Sequence, residues 1–350
     1  MAGSFDLTNL PKLPGLYANI VEAAANAIQS GERGVVALPL MTHSGTATAK
    51  QFYTVAADTL KDAEALFGAA NIESIEFILR GGAREVLVYT MPSAPVESDY
   101  DDMRLAFDAK DFNLFVFDGE ETALEQDNTL SWMQMNRKEG KHFMVVFGGS
   151  SADDADPSVG NARSVRLADE YAVNLITGVV INGEEYSSGE FAPYIAGLIA
   201  GTAINRAITY TPMQFVGDVN RRLRKSEQKT AIENGSLVLI HDGEKVKVLQ
   251  GLTTDSSKIR TQRARQAILE DLERTATDRY IGKLNNNEAG QVTIMNAVMA
   301  YLTELGNQNV LVEPTVELDP NNASSGDALF LRIAFTEVDS VERIFVTINV

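Results

Sequence analysis

The sequence contains no cysteine, only three histidines and one tryptophan in 350 residues. Without thiols there is no disulfide framework, thiolate zinc site, iron–sulfur cluster or cysteine nucleophile, and nothing points to an oxidising compartment. Imidazole chemistry is confined to His43, His142 and His241. Neither His43 nor His142 has a second ligand three or four positions further on, so no metal site is expected. Long apolar runs are missing as well: the longest, 191–204, falls short of the roughly 20 residues that cross ~30 Å of hydrocarbon. Residues 1–12 lack the charged start and apolar stretch of a signal peptide. Positive charge is scarce, with 30 Lys and Arg against 48 Asp and Glu, and the net charge of −18 disfavours nucleic acid or an anionic membrane as partner. What is present, 45% hydrophobic and 22% charged residues, is the composition of a globular chain. Its length allows about two or three domains.

The run Leu10–Gly15 contains Pro11 and Pro14, which force extended backbone before each, and apolar Leu16–Val21 follows. This reads as an extended arm. Next, Val35–Leu38 reads as a strand, 58–67 and 72–79 as helices, and 85–89 as a strand after Gly81-Gly82. The turn-rich stretch 92–99 is a boundary signal. From there strands and helices alternate: strand 113–117, helix 122–138, strand 143–147, helix 162–171 and strand 173–181. Continuous apolar strands separated by helices predict a parallel sheet covered on both faces. Ser187-x-x-Glu190 is a capping box opening a buried helix, in which Gly197-x-x-x-Gly201 lets another helix approach closely. Asp242-Gly243 marks a hairpin between 237–240 and 245–249, and 258–280 reads as a helix. The expected fold class is α/β: a parallel-sheet core with helices on both faces, a smaller N-terminal α/β domain, and extended terminal arms. The expected divisions are 1–30, 31–95, 96–210 and 211–350.

In open parallel sheets ligands sit at the carboxyl ends of strands, which here carry Asp118-Gly119 and Gly148-Gly149-Ser150-Ser151. Gly148-x-Ser150-x-Ala152 departs by one residue from the nucleophile elbow, which needs glycine where Ala152 stands. The only histidine beyond it, His241, lies at the hairpin. Neither a G-x-x-x-x-G-K-[ST] loop nor a G-x-G-x-x-G turn after a strand occurs. A hydrolase or nucleotide-binding site at Gly148–Ser151 is the alternative reading. Asp153, Asp154 and Asp156 could attract a cation, but Pro157 follows and the EF-hand glycine and distal glutamate are out of register, so a solvated loop is expected. No catalytic residue, cofactor or metal is expected.

Charge is unevenly placed. Residues 216–285 hold fourteen basic and ten acidic side chains, whereas residues 1–215 hold fourteen and twenty-nine. The basic groups cluster at Arg221, Arg222, Arg224, Lys225 and Lys229, and again at Lys258, Arg260, Arg263 and Arg265. One reading is a solvated helix face; the other is acidic-to-basic docking between copies of the chain. The last residues read as two strands, 329–335 and 343–350. In the second, Ile344, Val346, Ile348 and Val350 alternate with Phe345, Thr347 and Asn349, and no charge protects the edge. Such a strand either closes a hairpin or adds to a neighbour's sheet.

The segment Phe191–Gly201, the helix 259–283 with its ending Asp278-Arg-Tyr-Ile-Gly-Lys283, and the terminal Asp339–Val350 resemble contractile phage tail sheath proteins. The opening Leu13-Pro-Gly-Leu-Tyr17 is similar to that family's usual start. The likeness covers the arm and about the C-terminal half, in the family's order, and is weakest over 31–95. The resemblance implies a structural subunit of the compact type found in myophages, defective prophages and R-type bacteriocins, not an enzyme. It implies hexameric rings stacked around a tail tube, whose contraction drives the tube through a cell envelope. The implied partners are other copies of the chain, the tube protein, and baseplate and tail-terminator proteins. The implied location is a virion or bacteriocin particle assembled in the host cytoplasm. It assigns inter-subunit linking to Leu13, Leu16, Tyr17, Ile20 and Val21 of the arm, and to Ile344, Phe345, Val346, Thr347, Ile348 and Val350 of the last strand. Arg221, Arg222, Arg224, Lys225 and Lys229 would face other copies or the tube. A polymer that never contracts is the remaining structural alternative.

Overall fold

The computed structural model describes residue 28, residues 33–119 and residues 121–349. The arm residues Leu13, Leu16, Tyr17, Ile20 and Val21, and Val350, lie outside the described residues. The elements begin with β1 (Val35–Leu40), β2 (Phe52–Ala56), α1 (Leu60–Phe67), α2 (Glu73–Gly81), β3 (Glu85–Thr90), α3 (Glu97–Asp108) and β4 (Leu114–Val116). There follow α4 (Ala123–Lys138), β5 (Met144–Phe147), α5 (Ser151–Asp154), α6 (Pro157–Arg166), β6 (Ala172–Asn174), β7 (Val179–Ile181), β8 (Glu184–Tyr186) and α7 (Ser188–Gly201). The rest are β9 (Pro212–Met213), β10 (Asp218–Val219), α8 (Lys225–Glu233), β11 (Leu239–His241), β12 (Val246–Val248), α9 (Ile259–Thr275), α10 (Glu288–Asn307), β13 (Leu311–Leu318) and β14 (Leu331–Glu337).

Among the described residues two compact units result, one comprising 33–270 with 337–349 and the other 271–336. In the larger, a six-stranded sheet has the order β2-β3-β1-β4-β5-β6. All neighbours in it are parallel except the β2–β3 pair. Taken by themselves, the five parallel strands follow the doubly wound order 2-1-3-4-5, so the chain reverses direction across the sheet between β1 and β4. The strands are apolar throughout because helices cover both faces. Phe107 of α3 and Trp132 of α4 meet Phe115 edge-on, at 5.6 and 5.3 Å between centroids, and α7 lies across β1, β4 and β5 on the other face.

Helix α7 is buried almost throughout, packed against β1, β4 and β5 and against α2, which itself touches β3. The sequence dictates the contact of α7 with α2. A Cβ at Gly197 would lie 2.0 Å from the Ile78 carbonyl oxygen, and one at Gly81 would lie 2.5 Å from that of Tyr194, so the backbones themselves touch. The expected capping box is present, with Ser187 Oγ accepting from Glu190 N at 3.2 Å and Glu190 accepting from Ser187 N at 2.8 Å. Two small antiparallel sheets, β10-β7-β8 and β11-β12-β9, complete this unit.

Several expectations need correction. Residues 31–95 are not a separate domain in this architecture, since β1, β2 and β3 belong to the sheet that also holds β4, β5 and β6. Nor is 211–350 a single body: 211–270 and 337–350 pack within the larger unit. The stretch 173–181 is two strands in two sheets, broken at Leu175–Gly178. The helix expected at 162–171 starts at Pro157, because Asp156 caps it by accepting from Ser158 N at 3.0 Å and proline suits the first helical turn. Residues 343–349 enter no ladder with the other described residues.

The smaller unit has the end of α9, a π turn at Ala276–Tyr280, α10, and the two-stranded sheet β13-β14. Asp271 is buried there and accepts from Tyr301 Oη at 2.6 Å, tying α10 to α9.

Candidate assembly surfaces and the closed strand ends

At the carboxyl ends of the parallel strands, where an enzyme of this topology would hold its ligand, the protein fills the space with its own groups. Asp118 follows β4 at the point where the winding reverses. It accepts from Met41 N at the end of β1 at 2.9 Å, and from Ser74 Oγ of α2 at 2.5 Å. Burial pushes its carboxyl above the usual range. The end of β5 is closed by α7: a Cβ at Gly148 would lie 2.3 Å from the Ser188 carbonyl oxygen, and one at Gly149 would overlap the Arg163 guanidinium. The two glycines therefore serve close packing. The cavity left between Val116, Phe147, Gln126 and Ala192 measures about 10 Å³, room for about one water.

Ser150 is a helix cap rather than an elbow nucleophile in this geometry, accepting from Asp153 N at 3.2 Å. His241 Nδ1 accepts from Gly243 N at 3.0 Å inside the hairpin turn. The three aspartates do not form a solvated loop. Asp153 pairs with Arg163 at 3.1 Å and Asp156 caps α6. Asp154 is buried, accepting from Ser188 N and Ser188 Oγ, both at 2.6 Å, and from Asn220 Nδ2 at 3.2 Å. Burial raises its pKa to about 6, against the opposing hydrogen bonds from Ser188 and the nearby Arg163 charge. Among the described residues no group of three or more His, Asp or Glu side chains is arranged to hold a metal ion, and no helix is long and apolar enough to cross a membrane.

The candidate surfaces for assembly are different in kind. In the last segment Ile344, Phe345, Val346 and Ile348 are 78, 91, 75 and 79% exposed, and Val341 before them is 82% exposed. This is large apolar area with none of the described residues laid over it. Among the described residues the sheet β13-β14 has only two strands, so each has an unpaired edge there. β14 alternates between half-buried and exposed residues, β13 is mostly exposed, and Val312 and Leu318 of β13 and Phe330 just before β14 are turned to solvent. A two-stranded ribbon of this kind is marginal in water unless more strands or a packed face support it.

The basic cluster is largely engaged within the chain. Arg222 makes a two-point contact with Asp218 at 2.8 and 3.0 Å, Arg221 pairs with Glu227 at 3.0 Å, and Lys229 reaches Glu233 at 3.6 Å. Lys225 Nζ donates to Gln228 at 3.3 Å, and Arg224 starts α8 with its backbone N–H on Glu227. Lys225, Lys229 and Arg343 also rim an open groove of about 430 Å³ with Ile232 and Leu249 at its base. The second cluster divides: Arg263 is buried and donates to the Thr202 and Ala203 carbonyls, while Lys258 and Arg265 reach acidic residues of the last segment. Those long-range pairings leave no pattern in the sequence.

Comparison with known proteins agrees with this picture. Residues 95–254 match the family model of the phage tail sheath protein central domain, and residues 253–350 match that of the phage tail sheath C-terminal domain. A tail sheath protein of Clostridium phage phiCD119 is 27% identical over 167 residues, which is 45% of this chain and 47% of that protein. The match thus spans about half the length of this curated relative. A sheath tail protein from Desulfitobacterium hafniense superposes with a TM-score of 0.75 at 18% identity, over 95% of this chain and 99% of that one. The anti-feeding prophage helical sheath in its contracted state gives 0.75 at 13% identity, over 97% and 99%. A chain of the anti-feeding prophage baseplate gives 0.73 at 14%, over 97% and 99%. The two family models adjoin and run from residue 95 to the last residue, and the structural likeness extends over the remainder: the chain belongs to the phage tail sheath family.

Proposed function

We propose that the chain polymerises as stacked hexameric rings around a tail tube, and that contraction of the rings drives the tube through a bacterial envelope. The observation that carries this reading is the pairing deficit within one chain. Among the described residues a ribbon with two open edges coexists with an apolar tail that has no ladder. Edge strands of this type pair with other strands unless blocked, and main-chain ladders give affinity without a preformed pocket. The tail Ile344–Val350 of one copy would add to one edge of β13-β14 in another, and the arm Leu13–Val21 to the other edge. Linked this way, subunits stay connected while their bodies move. The exposed pairs Arg222–Asp218 and Lys229–Glu233 are individually weak, so such contacts can be exchanged for contacts to other copies or to the tube at small cost. Baseplate and tail-terminator proteins would bound the polymer, and its place is a virion or bacteriocin particle assembled in the host cytoplasm. The closed strand ends favour a structural role over catalysis.

Negative-stain electron microscopy of the purified chain tests this reading. Tubes or stacked rings are expected, and a second, shorter helical rise after triggering marks contraction. Removing Ile344–Val350 is expected to leave folded, soluble monomers; unchanged tubes from that variant would contradict the linking role.

A further inference from the structure

The last segment returns to the larger unit at two carboxylates before it leaves for solvent. Glu337 pairs with Arg265 Nε at 2.6 Å. Five residues later Glu342 accepts from Lys258 Nζ, from Thr209 Oγ1 at 2.8 Å and from Gln250 Nε2 at 2.7 Å. The three donors come from three segments: the loop after α7, the turn after β12 and the residue before α9. Burial opposes ionisation of Glu342, but the hydrogen bonds from Lys258, Thr209 and Gln250 outweigh it and hold its pKa below the usual range. Its side chain is 9% exposed, whereas Ile344 and Phe345 just beyond are 78 and 91% exposed.

Lys258 stands just before α9 and Arg265 in its second turn, roughly 10 Å further along the axis. Five extended residues reach up to about 17 Å, enough for 337–342 to run along α9 in the opposite direction. Lys258 also approaches Asp339 at 3.7 Å, between the two pinned ends.

We propose that 337–342 is a strap on α9, and that Glu342 is a positioning residue that fixes where the linking tail leaves the body. The proposal rests on the reading that the tail pairs with another copy. Under it, pull from a neighbour's sheet passes through Glu342 into α9 and the adjoining loops. Freeing the strap would add six mobile residues to the linker, which dilutes the tail around its target edge and lets the bodies drift apart under load.

A chain without cysteine allows a clean test. A spin label on Val341→Cys reports the strap directly in the monomer. Its spectrum is expected to shift from restricted to mobile on adding Glu342→Ala, with circular dichroism unchanged. The concentration needed to form tubes is expected to rise about tenfold in Glu342→Ala, and less in Glu342→Gln, which keeps the shape. Lys258→Cys with Glu342→Cys should share the defect, and bridging the pair with a short bismaleimide should restore the wild-type threshold. A label equally mobile with and without Glu342 overturns the strap. A label that is released while the tube threshold stays unchanged, or a bridged pair that still assembles poorly, overturns the positioning role. Failure of the wild-type chain to form any polymer would instead refute the sheath reading, and the positioning role with it.

Discussion

Asp154 is a carboxylate held away from water at the start of α7, where two Ser188 donors and Asn220 keep it in place. Its pKa of about 6 stands roughly two units above an ordinary aspartate. A raised carboxyl pKa favours the folded state fully below about pH 4, and that advantage is lost as pH rises through 6. At neutral pH the buried charge therefore costs about 2–3 kcal/mol. Asp154→Asn keeps the size and can still accept from Ser188 N, so thermal unfolding should show the variant gaining on the wild type between pH 4 and 7 by about that amount. Parallel pH profiles would rule the account out. The same residue shows what the sequence concealed: three aspartates near a proline read as a solvated loop, because burial is decided by Ser188, 34 positions away. Glu342 is a second case, with its partners Thr209, Gln250 and Lys258 all distant in sequence.

Among the elements, α2 and α7 form the contact most strictly fixed by residue identity. Alanine at Gly197 would place its Cβ 2.0 Å from a backbone carbonyl oxygen that no side-chain rotation can move. We expect Gly197→Ala to destabilise the fold by at least about 2–3 kcal/mol in denaturant unfolding, since both helices must separate. Gly306→Ala in α10, where the nearest atom is 3.5 Å away, should be neutral or stabilise by up to about 1 kcal/mol. Equal effects at the two positions would contradict the packing argument. The small-residue spacing of α7 and the apolar runs of β1, β3, β4 and β5 were legible in the sequence because their neighbours lie on every side and leave a continuous signal. Helix α3 was not, since its acidic first turn resembles a linker; the signal was Tyr100, Met103 and Phe107 recurring on one face. Helix α10 carried the same kind of signal in Val298, Tyr301, Leu302 and Leu305. Strand β2 is the antiparallel edge, half-exposed and short of a continuous apolar run.

For the whole molecule, the sequence carried the family likeness and the apolar last strand, but not the fact that this strand has no partner among the described residues of one chain. Pairing is a property of the assembly, and alternation along a strand does not say whose edge it meets. The basic cluster 221–229 is likewise engaged largely in local pairs rather than left as one free face, and the excess of acidic groups remains outside such pairs. What the described residues of a single chain leave open are edges: β13, β14 and residues 344–349. In the proposed polymer these meet between copies. A helical reconstruction of the assembled chain at a resolution that traces backbone is the decisive measurement. Residues 344–349 are expected to be hydrogen-bonded as a strand to the β13-β14 ribbon of a neighbouring copy, with Glu342 still seated on Lys258. A tail folded back on its own body, or a ribbon that stays two-stranded within a well-ordered tube, would contradict that pairing.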